Sequence, residues 1–174
     1  MTRPARSEAP AEYAAVDVCY LPAGGARAAA VLATDPRFAR ISGERVVLVP
    51  EVAPYRPGEF YLRELPPIQA VLAGLPVPAL LLVDGYVDLD PYGRAGLGAH
   101  VHAALGVPVI GVAKTAFATA RHAIPVLRGR SARPLYVTAA GMRPEDAARL
   151  VCEMAGPFRI PDGPRRADAL SRGR

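Results

Sequence analysis

The chain has 174 residues, 51% apolar and 21% charged, which is enough to bury the core of one ordinary globular domain and too apolar for a disordered class. Its formal charge of +5 suits a polyanionic partner such as nucleic acid, although arginine bias alone produces the same excess. The longest apolar run, from Val71 to Val83, is interrupted by Gly74, Pro76 and Pro78, which excludes a membrane span.

Residues 1–12 carry basic side chains without an apolar stretch before a cleavage site. They are read as a short disordered tail ahead of a single domain over 13–174, with no secretory signal and a cytoplasmic location. "YAAVDVCYL" (13–21) alternates as a strand, Gly24 and Gly25 signal a hairpin, and "ARAAAVLA" and "ERVVLVPEV" (44–52) supply two further strands of an antiparallel meander. From Gly58 to Leu75 the apolar positions recur at helical spacing, with a kink or break expected at Pro66 and Pro67.

The pattern then changes. "PALLLVD" is a continuously apolar strand ending in an acid, "GRAGLGAHVHAAL" is helical, and "VPVIGVA" is a second buried strand, so the three form a βαβ crossover. "PLYVTAA" (134–140) reads as a later strand and "MRPEDAARLVCEMA" (142–155) as a helix with Pro144 and Glu145 in its first turn. The last residues start irregularly and close with a helical turn. Three antiparallel strands followed by parallel β-α-β in one sheet is an α/β order that collects functional groups at strand ends. Cys19 and Cys152 lie within apolar segments and are read as buried thiols of a reducing compartment, not a disulfide.

Four acids and one base stand out. Asp17 interrupts an apolar strand, and alternation alone would also turn it to solvent; Asp84 ends "ALLLVD" directly before Gly85, where a buried strand meets the sheet edge. Glu64 lies among apolar neighbours on a helical turn, with a surface pair to Arg63 or Arg159 as the plainer alternative, and Asp168 sits between arginines in "RRADALS". Lys114, after the Val/Ile run and glycine of "VPVIGVAKTAF", is the only lysine among 21 basic residues. A compact ammonium on a flexible stem is not interchangeable with a guanidinium fork. His100, His102 and His122 have no acid or cysteine at ligand spacing, so a zinc site is not expected, and no Walker or dinucleotide-binding loop is present.

The segments "AAVDVCY", "PYRPGEFYLREL", "LLLVDGY", "GLGAHVHAALGVPVIGVAKT" and "PLYVTAAGM", in this order, resemble endonuclease V, a metal-dependent repair nuclease family acting at deaminated purines. The resemblance spans roughly residues 13–171 and implies an RNase H-like fold. It also implies that Asp17, Glu64 and Asp84, with Asp168 as a fourth candidate, hold Mg²⁺ or Mn²⁺, and that Lys114 is the active-site lysine. Hard oxygen ligands suit such cations. The family places a strand-entering wedge at "APYRPGEF", which falls on Tyr55 and Pro57; a proline-rich surface turn with a packed tyrosine is the alternative. Gly58, Phe60 and Gly85 would border the base pocket.

Two departures stand against this. Where the family carries a second glycine and a His-Pro-Arg stretch after its Asp-Gly, this chain reads "DGYVDLDPYGRAGLGAH", with Val87, Asp90 and Tyr92 at those places; Asp88 and Asp90 read as turn acids or as a second cation loop. The interval from Lys114 to Pro134 is short, which implies a missing groove-lining element. The expected function is a monomeric Mg²⁺- or Mn²⁺-dependent endonuclease cutting DNA or RNA on the 3′ side of a deaminated purine, in repair and without a membrane partner. The rival is a relative that binds nucleic acid but has altered or lost lesion recognition and little turnover.

Overall fold

The computed structural model describes residues 12–174; the expected tail lies almost entirely outside them. The elements run β1 (Tyr13–Tyr20), β2 (Ala26–Ala33), β3 (Ile41–Val49), α1 (Tyr61–Leu72), β4 (Leu80–Asp84), α2 (Leu97–Leu105), β5 (Val109–Ala113), β6 (Ile124–Val126), β7 (Leu135–Ala140), α3 (Pro144–Glu153) and α4 (Asp162–Ser171). All seven strands form one sheet in the order β3-β2-β1-β4-β5-β7-β6. The meander β1-β2-β3 is antiparallel, β1, β4 and β5 run parallel, and β7 returns antiparallel to β5.

Strand alternation decides which layer each residue serves. On one face Ala15, Leu80, Leu82, Ile110 and Val112 pack with Ala147, Val151 and Ala167 of α3 and α4. On the other, Ala14, Val16, Leu81 and Val83 pack with Ile68 and Val71 of α1 and with Val101 of α2. The central strands are covered on both sides, which is why they read as unbroken apolar runs. Ala28, Ala29 and Ala30 of β2 are wholly buried, and their small side chains let α1 and α4 approach the sheet closely.

Three expectations are corrected, and one strand was not anticipated. Pro66 and Pro67 do not break α1, which continues to Leu72 with both prolines inside it; since neither has an N–H, the Leu62 and Arg63 carbonyls lose their helical donors. β6 went unread because it is a three-residue edge strand containing Pro125. The terminal segment forms a ten-residue helix, α4, where only a turn was expected. Finally, Cys152 is exposed and Cys19 only partly buried, because Cys152 falls on the outer face of an α3 that buries Ala147, Ala148 and Val151. Among the described residues, no helix is long and apolar enough to cross a membrane.

Candidate active site

Register brings the sequence-selected residues to one sheet edge. Val16 pairs with Val83 across the parallel β1 and β4, so Asp17 and Asp84 follow side by side, on the face shared with Ala15 and Leu82. Asp84 in turn pairs with Val112 of β5, and Lys114, two residues beyond Val112, emerges on that face at the strand end. Lys114 Nζ donates to Asp84 Oδ2 at 2.7 Å and stands 3.8 Å from Asp168 Oδ1 of α4. Ser171, one turn after Asp168, donates from Oγ to Asp17 Oδ2 at 2.5 Å and also bonds the Asp168 carbonyl.

Glu64 arrives from the opposite layer. α1 carries it over the end of β1 to Tyr20, whose hydroxyl donates to Glu64 Oε1 at 2.5 Å, and only 7% of the residue is exposed. It is therefore no surface partner of an arginine: the Arg63 guanidinium lies instead over the Tyr20 ring, 4.0 Å from its centre, and Arg159 is engaged elsewhere.

The electrostatics are those of crowded carboxylates short of positive charge. Burial, with smaller contributions from the Asp17 and Asp84 charges, pushes Glu64 up to about 7 against the opposing Tyr20 hydrogen bond. Asp17 is also raised, first by burial and then by Asp84 and Asp168, with Ser171 opposing. Burial works against the Lys114 ammonium, yet Asp84, Asp168 and Asp17 together hold its pKa above the ordinary lysine value.

Among the described residues, no three acid, histidine or cysteine side chains stand at metal-ligating spacing. The donor set nevertheless fits a hard divalent cation. Asp17 Oδ1, Glu64 Oε2, Asp84 Oδ1 and Asp168 Oδ2 have no hydrogen-bond partner among the described residues, and the positive charge now between Asp84 and Asp168 is the lysine's.

Beside Asp84 opens a pocket of about 210 Å³ lined by Gly58, Phe60, Gly85, Tyr86 and Leu89 among others. Gly85 adopts φ +124°, a backbone that side chains rarely take. The loop it starts crosses β5 so closely that a Cβ on Gly111 would meet Gly85 O at 2.6 Å and Val87 N at 2.8 Å. Thr138 Oγ1 accepts from that same Val87 N–H. This explains the glycine of "GVAK": it is the gap through which the pocket's wall passes. The unusual "DGYVDLDPY" segment is an ordered loop, with Asp90 Oδ1 accepting from the Tyr92 and Arg94 amides, so Asp90 acts as a turn residue.

Tyr55 stands outside the pocket lining, 64% exposed between Pro54 and Pro57; it is not packed against the core. Sequence reading missed Tyr20 and Ser171, and offered Arg159 only as a surface partner of Glu64. Tyr20 looked like the apolar end of a strand and Ser171 like tail. Arg159 Nη2 donates to the Lys114 and Pro134 carbonyls, a role that only the tertiary fold reveals.

A seven-stranded mixed sheet sandwiched by helices, with acids side by side where two adjacent parallel strands part, is the RNase H-like arrangement of a nuclease. Residues 2–136 match the family model of Endonuclease V, and the chain belongs to the endonuclease V family. Endonuclease V of Azotobacter vinelandii is 32% identical over 91% of this chain and 80% of its own length. The crystal structure of endonuclease V from Streptomyces avermitilis superposes with a TM-score of 0.78 at 31% identity, covering 93% of this chain and 80% of that one. The Ciona intestinalis enzyme, in complex with DNA containing an inosine followed by a ribo-adenosine, shares the fold at a TM-score of 0.76 and 20% identity, covering 93% and 84%.

Proposed function

We propose that this protein is a divalent-metal-dependent endonuclease that hydrolyses a phosphodiester on the 3′ side of inosine in DNA or RNA, acting in cytoplasmic nucleic-acid repair. The observation that carries this reading is the gathering of Asp17, Asp84, Asp168 and the Lys114 ammonium on one sheet edge, with buried Glu64 facing them. Family membership and the inosine-containing DNA of the Ciona complex support the substrate.

Asp17, Glu64, Asp84 and Asp168 would hold Mg²⁺ or Mn²⁺. When bound, such an ion polarises the scissile phosphate and lowers the pKa of a bound water. Lys114 offsets negative charge gathering on the phosphate, its direction set by Asp84 and its backbone tethered by Arg159. The everted base enters the pocket beside Asp84, stacking on Phe60, while Gly58 and Gly85 leave backbone open to its edge. Tyr55 on its proline-stiffened turn fills the vacated place in the stack.

The second reading, nucleic-acid binding without lesion-directed turnover, draws on the acids Asp88 and Asp90 close to this pocket, where the family pattern carries a basic stretch. Both are tested by incubating the protein with Mg²⁺ or Mn²⁺ and matched DNA and RNA oligonucleotides carrying inosine, uracil, an abasic site or no lesion. The expected result is metal-dependent cleavage of the inosine strands by wild type and none by Asp84→Asn. Tight binding of every strand without cleavage establishes the second reading instead.

A further inference from the structure

From Pro91 to Pro144 the chain contains no acidic residue, yet it carries Arg94, Lys114, Arg121, Arg128, Arg130, Arg133 and Arg143. Most exposed arginines elsewhere are paired: Arg37 with Glu153, Arg166 with Glu44, Arg165 with Asp162 and Arg172 with Asp168. Arg130 and Arg133 are exposed, and among the described residues their guanidinium groups meet no carboxylate. They are not adrift on a loose loop. The buried Arg128 donates to the carbonyls of Met154, Gly156 and Phe158, clamping the turn before Arg130 to the loop before α4. Gly129, at φ +60°, lies so close to Pro157 O that no side chain would fit, and Arg159 Nε donates to the Arg133 carbonyl at 2.9 Å. Two unpaired charges are thus mounted on a braced wall.

The depressions along that wall connect through shared residues. Asp84 borders both the base pocket and the cleft above Asp17; Lys114 borders that cleft and an opening of about 220 Å³ beside Arg133; Arg159 borders this opening and a wider one of about 450 Å³ beside Arg130 and Phe158. Phe158 is 56% exposed, an aromatic surface of the kind on which unpaired bases stack.

We propose that this track is the binding groove for the nucleic-acid strand 3′ of the cleaved bond, with Arg130 and Arg133 contacting its phosphates and Phe158 supporting an unpaired base. The direction rests on the proposed function: if the lesion base occupies the pocket on one side of Asp84 and the bond cut lies 3′ of it, the chain beyond that bond leaves on the Lys114 side, toward Arg133 and then Arg130.

The test is fluorescence-anisotropy binding in EDTA, so that no cleavage intervenes, with full-length single-stranded inosine oligonucleotides, versions truncated shortly 3′ or 5′ of the lesion, and an inosine-free control. Arg130→Ala/Arg133→Ala should weaken binding of the full-length strand roughly tenfold at moderate salt. Its plot of log affinity against log salt should be shallower by about 1.4, from about 0.7 per phosphate contact on a single strand. The 3′-truncated strand should bind wild type and variant alike, the 5′-truncated strand should keep the difference, and Arg130→Lys/Arg133→Lys should restore most of the affinity. An unchanged salt slope, read also on the inosine-free control, overturns the groove without reference to any lesion. A loss that persists on the 3′-truncated strand overturns its direction. Wild type that cuts no inosine strand when metal is supplied would instead count against the proposed function and leave the salt slope standing.

Discussion

Lys114 is held between Asp84 and Asp168, where a point charge and a planar fork differ most. An arginine there would be longer and would favour bidentate contact with one carboxylate. We expect Lys114→Arg to fold normally and bind oligonucleotide with the same salt dependence, yet to lose about a hundredfold in cleavage rate, since misplacement near 1 Å costs that much. Single-turnover kinetics decide it, and a wild-type rate would reduce the lone lysine to an accident of composition. Tyr55→Ala should reduce preference for inosine-containing over intact duplex by roughly 1–3 kcal/mol, the worth of one stacked base, with metal affinity unchanged by titration calorimetry. Equal discrimination by both proteins would remove the wedge. Asp84 and Lys114 were legible in the sequence because strand ends have a local signature, an apolar run closed by a charge. Tyr20 and Ser171 were not, because what marks them is a bond to Glu64 and to Asp17 across 44 and 154 residues of chain.

The helix α4 shows how a whole element can escape sequence reading and still control the site. Its sequence, "DGPRRADALS", is polar and contains Gly163 and Pro164, so propensity argues against a helix. Tertiary packing forms it: Ala167 and Ser171 are fully buried, and Gly163 rests on Phe38, which is itself buried at the unusual φ of +56°. A Cβ on Gly163 would lie 2.6 Å from Phe38 Cδ1. Gly163→Ala should therefore destabilise the protein by about 1–3 kcal/mol through overpacking, despite alanine's better helix propensity. Urea denaturation measures this, and a stabilised variant would show that α4 is free to shift. Asp168 and Ser171 ride on the same helix, so a displaced α4 should also slow cleavage. By contrast β1, β4 and β5 were readable directly, since burial on both faces leaves a continuous apolar run that few other structures produce. Of the kink or break that local chemistry predicts at the prolines of α1, the break does not occur, because packing of Ile68 and Val71 carries the helix through.

Across the whole molecule, the carboxylate cluster couples folding to pH and to cations. In protein without divalent cation, Glu64 is raised from 4.5 to about 7, chiefly by burial, while the unfolded chain releases that proton near the ordinary value. Between these limits the folded state holds a proton that the unfolded state has lost, so stability falls as pH rises through the window and the penalty is complete above about 7. At about 1.4 kcal/mol per pKa unit the effect reaches roughly 3 kcal/mol, and the raised Asp17 acts in the same direction from a lower starting pH. Three residues act oppositely. Asp35 and Glu44 are lowered, Asp35 because burial, its largest single influence, is outweighed by the Arg40, Ala39 and Arg37 amides acting together, and Glu44 by Arg166, but their contributions are complete by about pH 4.5. His100, lowered by burial, makes stability rise with pH below about 6.5 and partly masks the Glu64 effect. The quantity to measure is therefore the difference in Tm between wild type and Glu64→Gln in EDTA from pH 4.5 to 8. Wild type should lose ground steadily against the variant as pH rises, and a constant difference would show that the Glu64 carboxyl is not held protonated by the fold. Adding Mg²⁺ supplies the positive charge that the cluster lacks, so it should raise the wild-type Tm more at pH 8 than at pH 5.5 and raise that of Glu64→Gln less. A wild-type Tm at pH 8 indifferent to Mg²⁺ and to Mn²⁺ would mean that these four carboxylates are not a cation site.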